Sequence, residues 1–252
     1  MAEPRVGLQL IIYGRRSGSD LAGVLGEAEA AGYAGFEGGA PADPKQVEHV
    51  QNVVAKTTLA FTGGHCGVGD LADPEQVKRR ISGVKALGGR YLVASGQPWE
   101  TLEEHLAAAR TMNQAGGLCQ EAGIKFCYHN HHWEFRRFDG TVAMHAMIAA
   151  TEAGLVHLCP DVYWVHVGGE DPAEFISRYR DRCPYFHFKD GLGGDQFREF
   201  RELGRGRVDL AAALKAALVC DPEWIVVEQD TTQMEPAESV RISREYLKSL
   251  GL

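Results

Sequence analysis

Tyr185-Phe186-His187-Phe188-Lys189-Asp190 is a short apolar run that ends in ionisable side chains. Three other stretches repeat the pattern: Tyr128-His129-Asn130-His131-His132-Trp133-Glu134-Phe135, Cys159-Pro160-Asp161-Val162-Tyr163-Trp164 and Ile225-Val226-Val227-Glu228-Gln229-Asp230. Each has the form of a buried β-strand opening into a loop at its C-terminal end. Four such ends carrying His, Asp, His and Glu can converge on one divalent metal. Strand alternation sharpens the reading, because residues two apart share a face. If His187 points inward so does Lys189, and by the same parity Glu228 brings Asp230 and His129 brings His131.

Outward from these ends the chain alternates strand-like and helix-like stretches. Strand-like segments fall at Val6–Ile12, Gly35–Gly38, Thr58–Thr62, Tyr91–Ala94, Lys125–Tyr128, Val156–Cys159, Tyr185–Phe188 and Trp224–Val227. Helical periodicity fills the gaps: Asp20–Ala31, Pro44–Lys56, Pro74–Leu87, Leu102–Ala122, Val142–Ala153, Pro172–Tyr179, Leu210–Leu218 and Pro236–Leu250. Asp43-Pro44, Asp73-Pro74 and Asp171-Pro172 suit an N-cap followed by proline at the first helical position. Gly32, Gly88 and Gly123 suit helix C-termini. Gly116-Gly117 predicts a kink or a split in the long helical stretch.

Eight strand–helix pairs without a linker predict one α/β domain over residues 1–252, a single (β/α)₈ TIM barrel. A doubly wound open sheet is the alternative, but no G-x-G-x-x-G follows the first strand. With 44% hydrophobic and 24% charged residues, the chain has the composition of a soluble globular protein. No apolar run spans a bilayer, and Met1-Ala2-Glu3-Pro4-Arg5 lacks the pattern of a signal peptide, so a cytoplasmic location is expected. Six cysteines without a C-x-x-C pair read as reduced core residues. A net charge of −8 with no basic cluster argues against a nucleic-acid partner.

In barrels of this kind the active site lies at the C-terminal strand ends. His129, Asp161, His187 and Glu228 form an oxygen- and imidazole-rich set suited to Mn²⁺, Mg²⁺, Co²⁺ or Zn²⁺. Lys189 stands inside the mouth, either holding a substrate oxygen or paired with a carboxylate. His65 and Glu37 end strands three and two, as substrate-binding or structural groups. Trp133 and Trp164 either stack on a ligand or pack the rim. Gly204-Arg205-Gly206-Arg207 follows strand seven, where barrels often bind phosphate; it is either an anion loop with Arg205 or a tight turn.

The order and spacing of Gly7-Leu8-Gln9-Leu10, Tyr128-His129-Asn130-His131, Glu134-Phe135, Asp161-Val162-Tyr163-Trp164, Gly169-Glu170-Asp171-Pro172, His187-Phe188-Lys189-Asp190, Leu203-Gly204-Arg205-Gly206 and Val227-Glu228-Gln229-Asp230 resemble the sugar phosphate isomerase/epimerase superfamily. These are the xylose isomerase-like TIM barrels, which include inosose dehydratases, keto-sugar epimerases and apurinic endonucleases. The resemblance implies one divalent ion held by a carboxylate after strand five, an Asp after strand six, a His after strand seven and a Glu on strand eight. Asp161, His187 and Glu228 match the last three. The strand-five position aligns with His129 where many members have Glu, with Glu134 as the alternative.

The resemblance implies proton abstraction beside a carbonyl through a metal-stabilised enediolate, with Glu228 as base and His131 or Glu134 acting on the other face or on a leaving hydroxyl. The expected function is a sugar isomerase or epimerase. A lyase or dehydratase is the alternative on the same scaffold, and it gains weight from the missing strand-five Glu. A non-catalytic carbohydrate-binding barrel is the alternative from another class. The expected partner is a small sugar or keto-sugar, and members of the superfamily often pair into homo-oligomers.

Overall fold

The computed structural model describes residues 3–252, so the first two residues of the N-terminal segment read above lie outside it. Eight strands form one parallel sheet: β1 Arg5–Gln9, β2 Gly35–Gly39, β3 Ala60–Gly67, β4 Tyr91–Ser95, β5 Lys125–His129, β6 Val156–Cys159, β7 Tyr185–Phe188 and β8 Trp224–Val227. Their order is β6-β5-β4-β3-β2-β1-β8-β7. A parallel bridge between Asp161 and His187 joins the two edges, with the His187 N–H donating to the Pro160 carbonyl at 3.0 Å. The sheet is thereby a nearly closed barrel.

Besides the short helices Arg16–Ser19 and Val162–Val167, one helix completes each strand–helix pair: α1 Leu21–Ala31, α2 Pro44–Val54, α3 Pro74–Ala86, α4 Leu102–Glu121, α5 Ala143–Ala149, α6 Pro172–Arg178, α7 Leu210–Val219 and α8 Pro236–Ser249. Asp43, Asp73 and Asp171 cap three of them, each accepting a backbone N–H from the first turn, with proline next in the chain. No helix among the described residues is long and apolar enough to cross a membrane. All six cysteines are free.

Four expectations change. β1 stops at Gln9, whose side-chain oxygen accepts the Ile11 N–H and starts a 3₁₀ turn over Leu10–Tyr13. β3 starts later than expected and runs to Gly67, which puts His65 within the strand. α5 is shorter than its periodicity suggested: it starts one residue later, after a small hairpin of Arg137–Phe138 and Thr141–Val142, and ends at Ala149. α4 runs unbroken through Gly116-Gly117. Gly116 is needed there for close approach instead of a kink: a Cβ would lie 2.5 Å from the Leu155 carbonyl oxygen.

Alternation along the strands builds two cores. Tyr91, Val93, Cys127, Cys159, Tyr185, Trp224 and Val226 pack together inside the barrel. Their neighbours Leu92, Phe126, Leu158, Phe186, Phe188, Ile225 and Val227 face the helices. The inner ring contains large aromatic side chains, so nearby positions must be small. A Cβ on Gly35 would fall 2.6 Å from the Ala60 carbonyl oxygen and 2.7 Å from Cη2 of Trp224. Gly35→Ala is therefore expected to lower unfolding free energy by about 1–3 kcal/mol through overpacking. Chemical denaturation checks this; an unchanged midpoint would refute the crowded-interior account.

Candidate active site

The apolar inner ring gives way at the C-terminal strand ends to a buried polar layer. Continuing the inward parity, β2 presents Glu37, β3 His65, β4 Ser95, β5 His129 and β7 His187. Asp161 follows β6 and Glu228 follows β8. Ligating atoms of His129, Asp161, His187 and Glu228 all lie within 4.8 Å of one another, and all four residues are buried. Strand five thus contributes His129 to this group. Glu134 stands apart from it, its oxygens accepting the Tyr128 hydroxyl at 2.6 Å and the His131 backbone N–H at 2.8 Å.

Several of these atoms have no hydrogen-bond partner despite burial. Asp161 caps the short helix Val162–Val167, with Oδ1 accepting the Trp164 N–H at 3.0 Å, which leaves Oδ2 without one. Nδ1 of His187 lies 2.6 Å from Oε2 of Glu228 but is not aligned for a hydrogen bond. His129 places Nε2 4.0 Å from Oδ2 of Asp161, and its Nδ1 is unpartnered. Buried polar atoms are nearly always satisfied, so several orphans converging in one place call for a missing partner. Two imidazoles and two carboxylates without thiolate fit a divalent ion of the Mn²⁺, Co²⁺, Zn²⁺ or Mg²⁺ group.

The charge balance points the same way. Asp161, Glu228 and Asp230 gather around one ammonium, that of Lys189, while Glu37 pairs with His187. Lys189 is wholly buried, 3.1 Å from Oε1 of Glu228, 4.0 Å from Oδ2 of Asp161 and ion-paired with Asp230. Its ammonium also lies 4.6 Å from the Trp164 ring centre and 4.8 Å from that of Phe200. Burial lifts the Asp161 carboxyl to about 7 against the pull of Lys189. Burial likewise raises Glu228, but Lys189 and His187 outweigh it and hold this carboxyl well below its ordinary range. Burial keeps the His129 ring neutral. Burial and the Lys189 charge bring His131 down to about 3.

His131 stacks on Trp133 with ring centres 4.1 Å apart and lies 5.7 Å from Trp164. Nδ1 of His131 and Nε1 of Trp164 are buried without partners, so they can meet the hydroxyls of a ligand. His65 is committed elsewhere, to Glu37 through Nδ1 at 2.9 Å and to Ser95 through Nε2 at 3.1 Å.

The glycine loop turns inward. The amides of Gly204, Gly206 and Val208, with that of Gly191, all donate to the Asp190 carboxylate at 2.9–3.2 Å. The donors expected for a phosphate are therefore occupied by a side chain of the protein itself. Arg205 is half exposed and faces Glu202 at 3.5 Å. Sequence reading passed over Tyr185 and Phe200. Tyr185 could have been found, since it stands two residues before His187 on the same face and its hydroxyl donates to Glu37 at 2.8 Å. Phe200 arrives through a two-residue hairpin pairing with Asp190–Gly191, which leaves no signal in the sequence.

The family model for xylose isomerase-like TIM barrels matches residues 25–250. An inosose dehydratase of Geobacillus kaustophilus is 30% identical over 175 residues, 60% of this chain and 53% of that protein. The chain thus spans about half the length of this curated relative. Among solved structures, a sugar phosphate isomerase/epimerase from Parabacteroides distasonis superposes with a TM-score of 0.82 at 22% identity, covering 98% of each chain. The IOLI protein with a binding zinc atom superposes with a TM-score of 0.76 at 14% identity, covering 98% of this chain and 97% of that one. With eight parallel strands closing on a buried polar layer and the family model spanning nearly its whole length, this chain belongs to the xylose isomerase-like TIM barrel family.

Proposed function

We propose that this chain is a divalent-metal-dependent enzyme that removes a proton beside the carbonyl of a polyhydroxylated ketone and completes the reaction as a dehydratase. His129, Asp161, His187 and Glu228 would hold the ion. When bound, such an ion polarises the ketone oxygen and stabilises the charge that develops as the neighbouring carbon is deprotonated. The two oxygens of Glu228 face different groups, Oε2 towards His187 and Oε1 towards Lys189. The ammonium keeps Glu228 ionised and ready to accept a proton. Once the β carbon–oxygen bond breaks, the same carboxyl can return that proton to the departing hydroxyl, which leaves as water. Nδ1 of His131 and Nε1 of Trp164 are free to orient the hydroxyls.

The observation that carries this reading is His129 at the strand-five position. Epimerisation needs an acid/base group on each face of the carbon, and there strand five offers a buried neutral imidazole in place of a carboxylate. Elimination needs one carboxylate only. The inosose dehydratase similarity supports the same outcome and suggests a cyclic polyhydroxy ketone as substrate. Occupation of the glycine-loop amides by Asp190 supports a substrate without phosphate.

Isomerisation or epimerisation is the second reading, favoured by Glu134. Burial, against hydrogen bonds from Tyr128 and the His131 amide, brings this carboxyl to about 7, where an acid/base group works well. Incubating inosose with the metal-reconstituted protein in D₂O separates the readings. Loss of water with a new unsaturated ketone is the expected result. Deuterium uptake without loss of water would establish the second reading, and neither would sink both.

Wild-type protein should bind about one divalent equivalent per chain, and His187→Ala should lose both the ion and activity, the latter on the order of 10³-fold. Elemental analysis beside turnover measurements checks this; a fully active variant would overturn the site.

Glu134 also predicts a pH dependence of stability. Its carboxyl binds a proton more tightly folded, at about 7, than in its ordinary range near 4.5. Below 4.5 both states are protonated; above 7 both are ionised and the folded state carries the cost of burying the charge. Stability should therefore fall by about 3 kcal/mol as pH rises through that window. Glu134→Gln should remove this component, seen as a smaller difference between denaturation midpoints at pH 5 and pH 8 than in the wild type.

A further inference from the structure

Glu37 is a wholly buried carboxylate of the polar layer, and the proposed reaction gives it no task. Its oxygens are nonetheless fully engaged. Oε2 lies 2.8 Å from Nε2 of His187 and 2.8 Å from the Tyr185 hydroxyl, and Oε1 lies 2.9 Å from Nδ1 of His65. An ionised carboxylate only accepts, so all three partners donate to it. Nε2 of His187 must then carry its hydrogen. Nδ1 is the nitrogen left to offer a lone pair to an ion, and it faces Glu228 without a hydrogen bond.

We infer that Glu37 is a positioning residue: it fixes the tautomer and the tilt of His187 so that Nδ1 is presented as a metal ligand. The inference rests on the metal-site reading above and adds to it a residue outside the ligand set. Tyr185 and His65 in turn hold the carboxylate from two sides, with Ser95 backing His65 at 3.1 Å. A carboxylate behind a ligating imidazole typically changes metal affinity by about 10- to 100-fold.

The test is cobalt titration of wild type and Glu37→Gln, read by the visible absorption of Co²⁺ and by its dissociation constant. The variant should bind about 10- to 100-fold more weakly, with an altered spectrum. Glu37→Asp, which restores the charge, should recover part of the affinity. Equal affinity and an unchanged spectrum in Glu37→Gln would overturn the inference. So would two cobalt equivalents in the wild type with one lost in the variant, because Glu37, His65 and His187 also lie close enough to hold an ion themselves. Wild type that binds no cobalt would bring down the metal site itself, a different result from a wild type that binds and a variant that binds equally well. Should the variants not fold, ¹⁵N–¹H spectra of the metal-loaded wild type decide. A slowly exchanging hydrogen on Nε2 of His187 is expected, and one on Nδ1 would overturn the inference.

Discussion

The barrel closes between β6 and β7 through the backbone of two residues whose side chains stand in the polar cluster. The His187 amide donates to Pro160, and Asp161 pairs with His187 across the seam. Side chains in strands alternate, so a residue that makes this closure with its inner face forward must aim its side chain at the axis. Closing the fold and assembling the site are therefore one constraint. Asp161 shows how far it extends: its backbone joins the seam, Oδ1 starts a helix and Oδ2 is left over for the cluster. Moving the register at this seam by one residue would turn His187 and Lys189 out among the helices.

That same constraint made much of the site legible. Parity alone pairs His187 with Lys189, Glu228 with Asp230 and His129 with His131, and the folded chain keeps each pair on one side. Strand positions were readable because parallel strands covered on both faces are continuous apolar runs. Other features depend on contacts between distant segments and leave no local signal. The Gly204–Val208 loop has the composition of an anion-binding turn, and it does bind an anion, but that anion is Asp190, fourteen residues before Gly204. Gly116 looks like a helix breaker until Leu155 is seen against it. Glu37 was readable as the polar end of strand two, but its tie to His187 joins residues 150 apart in the chain.

Asp190 and Asp161 are both buried carboxylates just past the ends of neighbouring strands, and the chain treats them in opposite ways. Asp190 receives four backbone N–H groups, enough to replace the water it lost. Asp161 keeps an oxygen with no hydrogen-bond partner, beside an unpartnered nitrogen of His187. The protein clearly has the means to satisfy a buried carboxylate, since it does so within a few residues. Burying Asp161 and Glu228 beside a single ammonium costs several kcal/mol per ion before any attraction is counted, and well-packed apolar side chains would give a more stable barrel. Perturbed, incompletely satisfied charges gathered at one end of a barrel are what a reactive centre requires and a purely structural core does not. The contrast between the two aspartates therefore separates a carboxylate that holds the fold together from one kept free for a ligand.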